Sequence, residues 1–223
     1  MRTRAGSTYI EKVLNTWAIV LILWSVYRVT FKTDLPLWFD ELIAKPLIFL
    51  LPLNFFIKKI EKKNFFSSVS LNKKKIGKEI TIGLLLGLIF VVAGVVGTFI
   101  KQNSFVFDVN NLFQGKNVVY FAVIAIATSV SEEILSRGFV LKRLYQQSRN
   151  IYTSSFFASV LFFFLHVPIL FTSNQFTGAL LLQVMVADLV LSLAVSFLFI
   201  RRKSLIAPII VHALYSLSIY FFI

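Results

Sequence analysis

Cysteine is absent from the 223-residue chain, and acidic residues are scarce, with 10 Asp plus Glu against 23 Lys plus Arg. The first absence excludes disulfides and thiolate metal sites. The second leaves a formal net charge of +13, which in a water-soluble protein would point to nucleic acid. A glycine-rich phosphate loop, an internal repeat and a polar stretch long enough for a separate soluble domain are also missing. Histidine occurs only twice, at His166 and His212.

Apolar residues dominate instead. The hydrophobic set makes up 57% of the chain and the mean hydropathy is +0.81, against roughly 45–50% apolar usage in soluble domains. No water-soluble fold can cover that much apolar surface. Seven segments approach the roughly 20 apolar residues that a membrane span requires: 13–31, 36–57, 79–100, 118–141, 151–171, 179–200 and 204–223. Asp40, Glu41 and Lys45 interrupt the second, which reads as a partly interfacial helix. The first apolar run, Trp17 to Tyr27, has no small-x-small cleavage site before Arg28, so it reads as an uncleaved first span and not a signal peptide.

The basic residues cluster at segment ends: Arg2 to Lys12, Lys58 to Lys78, Arg137 to Arg149, and Arg201 to Lys203. The connections near 101–117 and 172–178 hold few or none. This is the positive-inside pattern, so it argues for a bilayer and against nucleic acid as the partner. The expected fold is all-α, a polytopic transmembrane helix bundle of about seven spans with a cytoplasmic N-terminus. Residues 1–117 form the N-terminal helices and a basic cytoplasmic loop; residues 118–223 form the core. The stretch from Lys58 to Lys78 reads as a solvated loop beside anionic headgroups, acting as a topology determinant. Gly83 and Gly87 form a small-xxx-small pair suited to close helix packing.

Ionisable side chains inside hydrocarbon cost about 2.5–3.5 kcal/mol each at a helix centre, so those that persist usually have a partner or a task. Glu132, Glu133, His166 and His212 stand out. Counting back from the nearest cytoplasmic polar residue at 1.5 Å per residue, Glu132 lies about 15 Å deep, His166 about 24 Å and His212 about 14 Å, so the three sites can share a layer. Glu133 and Arg137 are four positions apart and share a helix face, where an ion pair offsets the burial of both. Glu132, turned about 100° away, is less neutralised by that arginine and suits a general base acting on water. His166 is placed to orient that water. His212, with Ser216 one turn later, is placed to donate to an oxyanion. Phe162, four before His166, reads as packing that fixes the imidazole. Asp188, and Asp40 with Glu41 and Lys45, read as structural pairs or interface residues. The chemistry that fits is hydrolysis of a carbonyl compound, most simply a peptide bond.

At these positions the sequence resembles the CAAX protease and bacteriocin-processing (CPBP, or Abi) family of intramembrane endopeptidases. The pattern Glu-Glu-x-x-x-Arg, Phe-x-x-x-His, His-x-x-x-Asn/Asp is matched by Glu132-Glu133-x-x-x-Arg137, Phe162-x-x-x-His166 and His212. The resemblance covers about residues 118–218 and implies a CAAX-protease-like helical core around a cytoplasm-facing cavity. It implies that Glu132 with His166 activates water, that His212 with the residue four later forms the oxyanion hole, and that Glu133 and Arg137 support them. Ser216 departs from the pattern. A hydroxyl is shorter than an amide, and losing one oxyanion donor typically costs about 2.7–4 kcal/mol.

Two histidines and two carboxylates also supply the donors for a zinc site through Glu132, His166 and His212. No His-x-x-x-His pair preorganises it, and glutamate-activated water without a cofactor is the favoured reading. The expected function is an intramembrane endopeptidase of a bacterial cytoplasmic membrane, acting on a peptide or membrane-protein substrate in bacteriocin self-immunity or prenyl-peptide-like processing. The alternative is a non-catalytic membrane protein of the same fold that binds a bacteriocin or a sensor kinase. A transporter fits less well, because paired broken helices in repeated halves are missing. Oligomeric state is not legible.

Overall fold

A computed structural model describes residues 3–31, 35–71, 76–102, 118–172 and 178–222. Among these, every regular element is helical, as backbone in hydrocarbon demands unless a sheet closes into a barrel. The connections at 103–117 and 173–177, whose few basic residues shaped the expected topology, lie outside the described residues.

Helix α1 spans Thr3–Phe31. A short α2 (Leu37–Phe39) runs through a π-helical stretch, Asp40–Ala44, into α3 (Lys45–Phe56), and a second π-helical stretch, Ile57–Glu61, ends the rod. The first widening has a local cause. Pro46 lacks an N–H and its ring would press on the carbonyl one turn before it, so the preceding turn opens. Next come α4 (Phe65–Ser68), α5 (Ile76–Gln102) and α6 (Val118–Glu133). A third π-helical stretch, Ile134–Leu141, joins α6 to α7 (Lys142–Ser148). The last three helices are α8 (Ile151–Thr172), α9 (Gly178–Arg202) and α10 (Ile206–Phe222).

Among the described residues, five helical rods are long and apolar enough to cross a membrane: Tyr9–Phe31, Ile76–Gly97, Val118–Ser148, Ile151–Pro168 and Leu182–Arg202. Two of the seven expected segments fall short of that measure. Residues Ile206–Phe221 form an apolar but shorter helix, and the α2–α3 rod carries Asp40, Glu41 and Lys45, all of them buried in the protein. The apolar faces of α1, α5 and α9 point outward, with Ile22, Leu85, Ile89 and Leu182 among the most exposed. In water such faces would aggregate; against acyl chains they are ordinary contacts.

The core lies between α1, α3, the third π-helical stretch, α8 and α9. Trp24 meets Phe49 edge-on at 5.5 Å and Phe56 meets Phe139 at 5.0 Å, both favoured aromatic geometries. Helix α10 packs against α5 and α6. That contact depends on the two glycines: a Cβ at Gly83 would lie 2.8 Å from the Ile210 Cβ, and one at Gly87 would lie 2.5 Å from a Leu214 methyl. On α8 and α9, which pack together, Ser155 and Ser159 and likewise Ser192 and Ser196 are buried one turn apart, the small side chains that let helices approach in lipid.

One part of the basic loop is not solvated. Residues 61–71 fold onto α7: Val69 is buried, Arg143 donates to Glu61 at 2.8 Å and to the Ser68 hydroxyl at 2.8 Å, and Lys142 donates to the Ser68 carbonyl at 2.7 Å. Gly138 makes room for this strap, because a Cβ there would stand 2.9 Å from the Val69 carbonyl oxygen. The Lys-, Asn- and Ser-rich composition hides three inward-facing positions, Glu61, Ser68 and Val69.

Candidate active site

The two glutamates occupy the last turn of α6, where the α-helix gives way to the wider π-helical stretch. Such stretches cost hydrogen-bond quality and often mark functional positions. Here the change of pitch directs Glu132, Glu133 and Arg137 into the interior, all essentially buried. Arg137 donates to the Glu133 Oε1 at 2.7 Å and, through Nη2, to the Ser192 carbonyl at 3.1 Å and hydroxyl at 2.9 Å. The guanidinium is thereby fixed between α6 and α9, with its carbon 4.4 Å from the centre of the Phe162 ring.

Both histidines converge on Glu132. The Nε2 atoms of His166 and His212 each lie 3.6 Å from the Glu132 Oε2. The opposite nitrogens set the tautomers. His166 Nδ1 is 3.1 Å from the Phe162 carbonyl oxygen and His212 Nδ1 is 2.9 Å from the Glu133 Oε1. Those oxygens only accept, so each Nδ1 carries a proton, and each Nε2 is turned toward Glu132. A separation of 3.6 Å exceeds a direct hydrogen bond and suits a bridging water. Glu132 Oε2 is itself buried without a hydrogen-bond partner. Glu132 Oε2 and the two Nε2 atoms thus face one point, which is an arrangement that can hold a water molecule. Phe162 packs 4.6 Å from the His166 ring and 5.7 Å from that of His212, holding both imidazoles. His166 is the open side of the cluster, with 18% of its side chain exposed against 4% for Glu132 and His212.

Sequence reasoning missed one member. Lys45, from the start of α3, donates to the Glu132 Oε1 at 3.0 Å and is equally buried. It also pairs with Glu41 one turn earlier, which accepts from the Thr128 hydroxyl at 2.6 Å, and it sits 5.2 Å from the centre of the Trp24 ring. Glu132 is therefore not the poorly neutralised carboxylate expected from its distance to Arg137: its counter-charge arrives from another helix. The visible signal was the Glu41-Lys45 spacing inside an otherwise apolar segment. Glu41, Glu132 and Glu133 against Lys45 and Arg137 leave one negative charge, which a single imidazolium would cancel.

Ser216 is the member that stays apart. It is half-buried on α10, and among the described contacts it makes no hydrogen bond to the cluster. Asp188 accepts from the Tyr215 hydroxyl at 2.6 Å, and Asp40 pairs with Tyr27 and Arg28, which makes both structural. Among the described residues no three His, Asp or Glu side chains form a group arranged to hold a metal ion.

A family model described as type II CAAX prenyl endopeptidase Rce1-like matches residues 114–218. No curated protein and no solved structure gives a match. The matched segment contains Glu132, Glu133, Arg137, Phe162, His166, His212 and Ser216, and excludes Lys45. The apolar rods make this a multi-pass membrane protein, and its segment 114–218 is similar to the Rce1-like type II CAAX prenyl endopeptidases.

Proposed function

We propose that the chain is an intramembrane endopeptidase that hydrolyses a peptide bond with water activated by Glu132. The observation that carries this reading is the convergence of Glu132 Oε2 with two imidazole Nε2 atoms, each 3.6 Å away, around a buried oxygen that has no other partner. Water held there gives a proton to Glu132 as its oxygen adds to the scissile carbonyl carbon. The same proton passes to the amine nitrogen as the C–N bond breaks, the usual double duty of a general base. His166, on the open side, orients the water. His212 stabilises the oxyanion from Nε2 as the imidazolium, with Glu133 offsetting its charge through Nδ1 and Arg137 holding Glu133 in place. Water activation proceeds without a metal.

The N-terminus lies in the cytoplasm of a bacterial cell and the substrate is a peptide segment of a membrane-associated protein, processed in bacteriocin self-immunity or in a prenyl-peptide-like maturation. A second reading, a non-catalytic binding protein of the same fold, is favoured by Ser216, which lacks the amide of the family pattern and, among the described contacts, makes no bond to the cluster. Glu132→Ala and His166→Ala, produced as folded membrane protein and assayed for cleavage of membrane proteins in whole cells, separate the two. Loss of cleavage in both supports the protease; full function in both supports the binding role. Unchanged cleavage by purified protein in chelator supports the metal-free route, and loss restored by zinc overturns it.

A further inference from the structure

Helix α3 has two faces with opposite duties. Lys45, Phe49, Leu53 and Phe56 turn inward and are buried, whereas Leu47, Leu51, Asn54 and Lys58 recur at four, three and four residues on the outer face. Between that outer stripe and α4 runs a groove of about 570 Å³. Leu47, Leu50 and Leu51 line its apolar end, Asn54, Lys58 and Lys63 its polar end, and Phe66 contributes an aromatic wall.

The groove is built into the fold. Lys62 takes a left-handed conformation, φ 54° and ψ 41°, that ends the rod and turns the chain. Asn64 then caps α4, accepting from the Phe66 N–H at 3.1 Å. From behind, α4 is tied to Glu61 and Lys142 through Ser68. The wall carrying Lys63 and Phe66 is therefore held at a set distance from α3.

Its charge is unbalanced. Among the described ion pairs, none involves Lys58 or Lys63, and the carboxylate closest in sequence to both, Glu61, is taken by Arg143, Tyr9 and Ser68. Lys63 also borders a small polar pocket that holds Lys142 and Arg143, which adds positive potential at the same end. From Lys58 to Leu47 is eleven residues, about 16 Å of helix, or one leaflet of a hydrocarbon core about 30 Å thick. We propose that this groove is a binding site for a single anionic phospholipid, its phosphate between Lys58, Lys63 and Asn54 and one acyl chain along Leu47, Leu50 and Leu51. The site is separate from the Glu132 cluster and does not depend on proteolysis. It assigns a specific ligand to a basic stretch that would otherwise serve topology alone.

The test is native mass spectrometry of the full chain released from vesicles holding equal phosphatidylglycerol and phosphatidylcholine with the same acyl chains. Wild type retains one phosphatidylglycerol in preference. At about fivefold per basic residue, Lys58→Gln/Lys63→Gln lowers that preference about 25-fold. Lys59→Gln/Lys62→Gln, exposed neighbours outside the groove, leaves it nearly unchanged. Leu51→Trp fills the apolar end and lowers retention of both lipids, with helix content by circular dichroism reporting the fold. Equal retention of the two lipids by wild type overturns the proposal, as does equal loss in the two lysine pairs, which is the mark of diffuse surface potential. Displacement of the retained lipid by a farnesylated peptide, or a second copy of the chain in its place, also overturns it.

Discussion

Two charged clusters among the described residues each pair a glutamate with a basic side chain but satisfy it differently. Around Glu61, near the polar margin of the bundle, Arg143, Tyr9 and Ser68 together supply hydrogen bonds to both carboxylate oxygens. Around Glu132, deep in the bundle, Lys45 covers one oxygen and the other is left without a partner between two histidines. A satisfied carboxylate is structural, because nothing remains for a ligand to do. A half-satisfied one in a buried site is costly, and the cost makes sense where a substrate or water completes it. The comparison also divides the chain: the matched segment 114–218 holds Glu132, Glu133, Arg137, His166 and His212, and α3 brings the cation that pairs with Glu132.

The largest expected effect lies at the reactive end. Glu132→Gln keeps the shape and removes the base, so cleavage falls by roughly 10²- to 10⁴-fold, read as product formed by the purified protein in vesicles. The counter-charge comes next. Lys45→Met leaves Glu132 buried without its cation and destabilises the fold by about 3–5 kcal/mol. Lys45→Met/Glu132→Gln removes both charges and recovers much of that loss in thermal melting; additive losses would sever the proposed coupling. Packing follows. Gly87→Leu drives a side chain into Leu214 and costs about 1–3 kcal/mol, lowering the melting temperature while cleavage by the surviving folded fraction persists.

The smallest effect belongs to Glu61. Burial pushes its carboxyl up, but hydrogen bonds from Arg143, Tyr9 and Ser68 outweigh this and hold it below its ordinary value of 4.5. A folded-state value below the unfolded one contributes stability above pH 4.5 that is lost as the pH falls through the folded value. The melting temperatures of wild type and Glu61→Gln therefore differ at neutral pH and converge in acid. A constant difference would remove Glu61 from the account.

Much of the architecture was legible because lipid imposes simple rules. Long apolar runs become helices, basic clusters mark their ends, and charges inside an apolar rod announce themselves. The Glu132, Glu133, Arg137, His166 and His212 set stood out for that reason, and the structure brings those five side chains together. Lys45 could not be placed from sequence: its partner is 87 residues away, and its local spacing to Glu41 already explained its presence. The strap at 61–71 was hidden differently, since composition reports the average of a segment while docking depends on a few positions such as Val69. The π-helical stretches before Lys45 and after Glu133 leave no periodicity signal, although Pro46 gives a cause for the first.

The central claim is that Glu132, completed by Lys45 from outside the matched segment, activates water. Mapping of new protein termini in the membranes of cells that carry wild type or the charge-neutral Lys45→Met/Glu132→Gln variant, at matched folded abundance, tests it most directly. The account predicts termini that appear with wild type and vanish with the variant. The same termini at the same abundance in both would contradict it.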